Sequence, residues 1–381
     1  MEKLIKVAVV IKTDGLEYDD RLRKEILSIQ KLYPQIYTKV FVMLPKNTKI
    51  SGITSYGVPY ESVYIPSRDK YPSGKMAVLK SYEFYKVIKN DISNFDAIWC
   101  ANDDTAMIVA LVKNKKLLWD LHELPSSMLS NPFKRFLLRY LFSRCRIVVH
   151  ANRQRKDFLE KIGTITDKRK HFVLRNFPNF ENAISSDDDK YLNFLKWKSD
   201  RKCVYLQGLT NDSRAAFESI SAVMGFRALI AVVVGSFDVD SKTRLMKKYG
   251  KKLDERILFL GKIPQMEIPK YVGKCDFSLV FYKNVRPNNL YCEANRFYQS
   301  VSMGLPVVVG KNPSMRDFIE KYNFGISIED DGSSILKISE GIKQLMLNYE
   351  SYRENVISHK DELVWEKQEK TINEFMELLL K

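Results

Sequence analysis

No stretch of this 381-residue chain approaches the roughly 18 uninterrupted apolar residues that a membrane-spanning helix needs. Nor does the opening, MEKLIKVAVVIK, read as a signal peptide, because it passes directly into a strand-like run. A cytosolic protein is therefore expected. The five cysteines, Cys100, Cys145, Cys203, Cys275 and Cys292, are scattered without a C-x-x-C pair or a Cys/His cluster. That spacing suggests neither a zinc site nor a disulfide framework, and they read as reduced and mostly buried. No G-x-G-x-x-G follows any strand-like segment, the first included, which argues against a dinucleotide-dependent oxidoreductase. Short-period repeats and low-complexity tracts are missing as well.

What is present is the make-up of a packed globular protein: 45% hydrophobic, 12% aromatic and 28% charged residues. At this length two domains of ordinary size are expected rather than one. The net charge of +16 is unevenly placed. Lysine and arginine stand against acidic residues as 19 to 15 over residues 1–130, 13 to 3 over 131–175 and 30 to 28 over 176–381, so ten of the sixteen excess charges fall in one segment. A nucleic-acid binder would spread its basic residues over one large face. Here the second half is nearly neutral and no recognition motif appears, so no nucleic-acid partner is expected.

Along the first half, short apolar runs alternate with helical patterns. Val7–Ile11, Lys39–Leu44, Ala97–Cys100, Leu117–Trp119, Ile147–Val149 and His171–Leu174 read as buried strands, and 20–33 repeats Leu22, Ile26, Ile29 and Tyr33 at helical spacing. Such alternation predicts a parallel sheet covered on both faces. After the acidic stretch Ser185-Ser186-Asp187-Asp188-Asp189 the pattern restarts with Cys203–Leu206, Leu229–Val234, Ile257–Leu260, Phe277–Phe281, Val307–Val309 and Ile326–Ile328. The expectation is an α/β chain of two doubly wound Rossmann-like domains, 1–184 and 185–360. An amphipathic C-terminal helix within 361–381, carrying Leu363, Val364, Ile372, Phe375, Met376 and Leu379, is expected to return to the first domain.

The segment 288–310, NNLYCEANRFYQSVSMGLPVVVG, carries the most chemistry for its length. It crowds Glu293, Asn295, Arg296 and Gln299 onto a helix expected over 294–303, which Gly304 and Pro306 terminate. A helix start offers unpaired N–H groups and a dipole to an anion, and an arginine adds a planar fork suited to phosphate oxygens. An ordinary surface helix of mixed polarity would look the same, so context has to decide. In open α/β sheets ligands lie at the carboxyl ends of strands. Asp14-Gly15, Asn102-Asp103-Asp104, Asp120-Leu121-His122-Glu123, Gly208 and Gly235 all follow strand-like runs. Acidic residues and glycine are common in turns, but that all of these stand at strand ends points to a cleft between the two domains.

Seven segments carry a further likeness: Glu17-Tyr18-Asp19-Asp20-Arg21 with Arg23 and Glu25; Ala101-Asn102-Asp103-Asp104-Thr105; Trp119-Asp120-Leu121-His122-Glu123-Leu124; Val173-Leu174-Arg175-Asn176-Phe177-Pro178-Asn179; Tyr205-Leu206-Gln207-Gly208 followed by Arg214; Phe259-Leu260-Gly261; and Asn295-Arg296 with Gly304-Leu305-Pro306-Val307-Val308. Taken in this order they resemble the GT-B glycosyltransferases, and within them the large retaining family 4 that uses nucleotide-sugar donors. The likeness spans nearly the whole chain. It departs from the family pattern at Gln299, where a glutamate usually holds the ribose hydroxyls, and at Tyr291, where a second glutamate is frequent and here stands nearby as Glu293. Arg296 stands where lysine is common, and Ala215 where glycine is common.

What the resemblance implies is a retaining transfer of a sugar from a UDP- or GDP-type nucleotide sugar to a hydroxyl of a glycan or lipid-linked acceptor, in cell-surface polysaccharide or glycolipid synthesis. It implies no cofactor and no essential metal, the leaving diphosphate being stabilised by basic side chains and helix N-termini. His122, Arg214 and Arg296 are the catalytic candidates, with Gly208, Glu293, Asn295 and Gln299 on the donor. Gly15, Asp103, Asp120 and Glu123 support the acceptor side, Asp120 or Glu123 fixing the His122 tautomer. A solvated arginine and a structural histidine are the bland counterparts of Arg214 and His122. No carboxylate pair of the glycosidase kind can be read, so the resemblance implies a front-face route. A non-catalytic module of the same fold is the alternative that Gln299 motivates.

The basic segment yields a partner. Asn131 is suited to cap a helix with Pro132 at its first position, and Phe133, Phe136, Leu137, Tyr140 and Leu141 form one apolar stripe flanked by Lys134, Arg135 and Arg139. Residues 131–146 therefore read either as a core-facing helix with a solvated basic face or as an interfacial helix on anionic lipid at the inner face of the cell membrane.

Overall fold

The computed structural model describes residues 4–72, 75–113, 116–179 and 188–381. Two compact units divide the chain, Met1–Asn176 with Gln368–Lys381, and Phe177–Lys367. Ser185, Ser186 and Asp187 of the acidic stretch, and the expected boundary at 184/185, lie outside the described residues.

In the first unit β1 (Ile5–Lys12), β2 (Ile36–Met43), β3 (Ser51–Ile53), β4 (Pro59–Ser62), β5 (Ala97–Ala101), β6 (Leu117–Leu121), β7 (Ile147–His150) and β8 (His171–Val173) form one sheet in the order β3-β4-β2-β1-β5-β6-β7-β8. All pairings are parallel except β3 with β4. Residues Val7–Ile11 and every residue of β5 and β6 are buried, as a sheet covered on both faces requires. The edge pair β3 and β4 was not anticipated from the sequence, because SGI and PYES are short and carry the Gly and Pro that mark edges.

The second unit holds β9 (Lys202–Gln207), β10 (Leu229–Val234), β11 (Ile257–Gly261), β12 (Phe277–Val280), β13 (Val307–Val309) and β14 (Gly325–Ser327), all parallel, in the order β11-β10-β9-β12-β13-β14. In both sheets a first strand has successors on either side: β1 lies between β2 and β5, and β9 between β10 and β12. Those are the switch points at which open sheets bind ligands.

The C-terminal helix is Glu369–Leu380 and leaves out the first part of the segment expected to form it from about 361 to 379, because 360–362 and 365–368 are 3-10 turns. Leu363 packs in the second unit's core and the Trp365 N–H donates to the Pro178 carbonyl at 2.7 Å, holding those turns there. The helix proper belongs to the first unit. Lys31 pairs with Glu369 at 2.8 Å, the Tyr33 hydroxyl donates to Asn373 Oδ1 at 2.7 Å, and Phe375 meets Phe172 edge-on.

Two other features of the first unit bear on later arguments. His150 and His171 are 1% and 4% exposed, and their rings stack with Nε2 and Nδ1 2.8 Å apart. The basic helix runs Pro132–Arg144, with the Asn131 side chain accepting from the Lys134 N–H at 2.9 Å. Its expected single stripe is split. Leu138, Leu141 and Phe142 turn into the core, while Phe133 is 75% exposed, Phe136 67%, Tyr140 46% and Leu137 39%. Residues spaced 133, 136, 137, 140 lie on one helix face, next to the buried 138, 141, 142 face, so Leu141 belongs with the second set. Among the described residues no helix is long and apolar enough to cross a membrane.

Candidate functional site

In the second unit the switch point between β9 and β12 is closed by an arginine. Arg296 sits in the first turn of the helix Asn295–Ser302 and is 4% exposed. Its Nη1 donates to the Gln207 carbonyl at the end of β9 (2.6 Å) and its Nη2 to the Phe281 carbonyl just past β12 (2.8 Å). Burial lowers its pKa from the usual guanidinium value. Arg214 approaches from the other side, Nη1 donating to the Gly208 carbonyl at 2.9 Å, and it is only partly buried. The Tyr282 ring lies under both guanidinium groups, 4.8 Å from Arg296 and 5.5 Å from Arg214. Burial first, then Cys292, raises the Tyr282 phenol to about 12, so it stays a neutral hydroxyl.

Backbone conformation lets these groups converge. Gly208 has φ 61, and a Cβ there would stand 3.2 Å from Arg214 Nη1. Ala215 also holds a left-handed φ of 54, a position at which glycine avoids about 1 kcal/mol of strain. Opposite it Gly332 (φ 97) admits no side chain, since a Cβ would lie 2.5 Å from that of Phe281 and 3.0 Å from that of Ala215. Lys283 bridges Asp212 (2.8 Å) and Glu218 (3.1 Å), fixing the turn that carries Arg214.

The helix Asn295–Ser302 begins without a side-chain cap on its N terminus, the arrangement that suits an anion. The segment before it is pinned, Asn312 Nδ2 donating to the Asn289 carbonyl (2.9 Å) and the Ser314 hydroxyl to that of Tyr291 (3.1 Å). Glu293 is half-buried and Asn295 exposed at the helix start, with Gln299 one turn on, 7% exposed. The structure thus gathers Gly208, Arg214 and Arg296 at one strand edge. It also places Tyr282 and Lys283 there, which sequence reasoning missed; their only signal was a position just after an apolar strand.

In the first unit β1, β5 and β6 are adjacent, and their ends bring together Gly15, Asp103, Asp120, His122 and Glu123 as a second strand-edge group. Gly15 has an extended φ of −175, and what it provides is room, as a Cβ would sit 2.8 Å from the Tyr18 ring. Asn102 has φ 67 and ψ 166, a conformation that costs a non-glycine residue about 1–3 kcal/mol. Three donors hold its carbonyl in place: Trp119 Nε1 (3.0 Å), the Thr105 hydroxyl (2.7 Å) and the Thr105 N–H (3.3 Å). The strained turn presents Asp103, whose carboxyl is raised to about 6 by burial and by the nearby Asp104 and Glu123, against Lys12.

Asp120 is 1% exposed, and its Oδ2 lies 2.9 Å from His122 Nε2. Arg155 Nη1 donates to the His122 carbonyl at 2.5 Å, fixing the main chain at the same residue. With Nε2 bonded to a carboxylate, the neutral ring keeps its proton there and leaves Nδ1 as its acceptor, a tautomer assigned from this contact. Glu25, Asp120 and His122 are the one group among the described residues that brings three metal-ligand atoms within 4.8 Å of one another. The Arg21 guanidinium already lies against both carboxyl groups, supplying the positive charge.

No family model matches the sequence, and no curated protein matches it. Solved structures do. Sucrose-phosphate synthase from Thermosynechococcus elongatus aligns at TM-score 0.77 and 11% identity, covering 98% of this chain and 99% of that one. HepE from Anabaena in complex with UDP aligns at 0.73 and 15% identity, covering 98% of this chain and all (100%) of that one. WaaG, a glycosyltransferase involved in lipopolysaccharide biosynthesis, gives 0.66 at 14% identity over 96% of this chain and 98% of that one. Identities this low speak for the fold alone: the chain has the two α/β, Rossmann-like domains of the GT-B glycosyltransferases.

Proposed function

We propose that this chain is a glycosyltransferase that moves a sugar from a nucleotide-sugar donor, UDP-type in the first instance, to a hydroxyl of a glycan or lipid-linked acceptor, with retention and without an essential metal. The observation that carries the reading is the pair Arg214 and Arg296 over Tyr282 at the β9/β12 switch point, beside a helix start with no side-chain cap. Two cations beside a helix N terminus suit a diphosphate, whose developing charge they stabilise as the sugar departs. The neighbour HepE is described in complex with UDP and with UDP-glucose, which supports a uridine donor. Gln299 would hydrogen-bond the ribose without charge. On the acceptor side His122 offers Nδ1 to a sugar hydroxyl.

A thermal-shift series with UDP, GDP and their glucose conjugates tests the reading. Saturating UDP-glucose at about 100 times its Kd should stabilise the fold by about 2.7 kcal/mol. No shift with any nucleotide would sink it. The competing reading, a non-catalytic module motivated by Gln299, predicts the shift without release of free UDP from UDP-glucose.

We further propose attachment to anionic membrane at the cytoplasmic face through the helix Pro132–Arg144. Its outward Phe133, Phe136 and Tyr140 stand beside Lys134, Arg135 and Arg139, the pairing that enters the headgroup region and attracts acidic lipid. Binding to phosphatidylserine-containing vesicles at low salt should fall at least tenfold in Phe133→Ser/Phe136→Ser, a loss of about 1.4 kcal/mol or more. Equal binding to neutral vesicles would remove the electrostatic part of the proposal.

A further inference from the structure

Beneath the turn that carries His122, the first unit buries two carboxyl groups and one guanidinium. Glu25 and Asp120 are each 1% exposed and Arg21 is 5% exposed. Arg21 Nε lies 2.9 Å from Glu25 Oε1, its Nη2 donates to Asp120 Oδ1 at 3.0 Å, and its Nη1 donates to the Leu174 carbonyl at 3.0 Å. The other oxygen of Asp120 holds His122 Nε2.

We propose that Glu25 is a positioning residue for His122, acting through Arg21 and Asp120, and that it does so as the neutral acid. This rests on the assignment of His122 to the transfer site. Two ionised carboxylates against one guanidinium would leave a net negative charge at a site buried from bulk solvent, at a cost of several kcal/mol. One shared proton removes that charge. Glu25 Oε2 is the oxygen suited to carry it, since Oε1 faces Arg21 Nε at 2.9 Å whereas Oε2 is buried without a hydrogen-bond partner among the described residues. Protonated, Glu25 donates to Asp120.

The surroundings agree with this distribution. Burial pushes the Glu25 carboxyl well above the usual carboxylate range, Arg21 opposing and Asp120 adding to the rise. Asp120 moves the other way, because Arg21 and then His122 outweigh its own burial. Asp19, ahead of the helix that carries Arg21 and Glu25, adds a more distant negative charge, and His150 feels the charge of Asp120. Asp120 therefore keeps a single charge divided between Arg21, the Glu25 hydroxyl and His122, which leaves the imidazole neutral with Nδ1 as its acceptor. An ionised Glu25 would instead draw His122 toward the imidazolium, which accepts nothing at Nδ1.

The full-length protein with nitrogen-labelled histidine gives a test that needs no substrate, and His122→Gln assigns the ring among four histidines. At about pH 8 the wild type should show the infrared carbonyl stretch of a protonated carboxyl, and Glu25→Gln should lack it while keeping the His122 midpoint within about 0.3 pH unit. Glu25→Ala should raise that midpoint by about half a unit or more, since Asp120 loses a donor and bears harder on the ring. Absence of the infrared band in the wild type, a midpoint lowered by about a unit in Glu25→Gln, or a wild-type titration in Glu25→Ala would each overturn the proposal. Should Glu25→Ala fail to fold, the band and Glu25→Gln decide alone. Failure of the transferase reading appears separately, as loss of nucleotide stabilisation with all these signals intact.

Discussion

Arg214→Ala is expected to lower turnover of sugar transfer by about a hundred- to a thousandfold with little change in acceptor KM or in stability, the size seen when one preorganised donor to a developing oxyanion is removed. Its guanidinium is partly exposed and holds one carbonyl, that of Gly208, so the fold loses one hydrogen bond of about 1 kcal/mol. Arg296→Ala should behave differently. Both of its Nη atoms are committed to main-chain carbonyls of two different strand ends, and the side chain is buried. Removing it strands one buried and one part-buried acceptor and leaves a cavity, which places the loss of stability at about 2–5 kcal/mol on top of lost turnover. Arg296→Lys separates these effects. Lysine restores the charge but not the planar fork that reaches Gln207 and Phe281 at once, so turnover should recover more than the unfolding midpoint does. The measurements are kcat and KM at saturating donor and urea unfolding of each variant. Unchanged kcat in both alanine variants would remove the two arginines from the chemistry.

How much of this could be read beforehand follows from how far apart the cooperating residues lie. The long strands announced themselves as runs such as LIAVVV, whose six residues are all buried, and the helix Asp20–Leu32 through its apolar spacing. The site residues at strand ends were legible where the signal was local, as in Asp120 with His122 two positions on. Arg21 and Glu25 were visible as part of a motif, but not as partners of His122, because the bond from Arg21 to Asp120 joins residues 99 apart. Tyr282 escaped for the same reason, as Arg214 and Arg296 reach it from 68 residues before and 14 after. Composition also could not decide which side of the basic helix faces out. A stripe with five apolar members is equally compatible with core and surface, and only packing turned Leu141 inward while leaving Phe133 and Phe136 outside.

The histidine pair at the β7/β8 edge makes the first unit acid-sensitive. Burial first, then His171 and Lys156, holds the His150 pKa well below 6.5, with only Asp120 pulling upward. His171 is brought down to about 3 by burial, with Lys170 and Lys156 adding to it and Asp167 opposing. Phe142 packs edge-on against both rings, 6.1 and 5.1 Å away, so neither ring can gain water without disturbing that packing. Both folded values lie below the unfolded one; the unfolded chain therefore binds more protons between about pH 6.5 and 3, and stability rises with pH across that window. The contribution is complete above about pH 6.5 and is lost as the pH falls, His171 alone accounting for on the order of 3 kcal/mol by about pH 4. Carboxylates titrate over the lower part of the same range, so the double variant His150→Leu/His171→Phe is the control. Replacing both partners of a buried hydrogen bond with apolar groups should keep neutral-pH stability within about 1 kcal/mol. Its urea midpoint should then stay nearly flat between about pH 7 and 5, where the wild type should already decline. Parallel decline of the two proteins would show that the buried pair does not carry the effect.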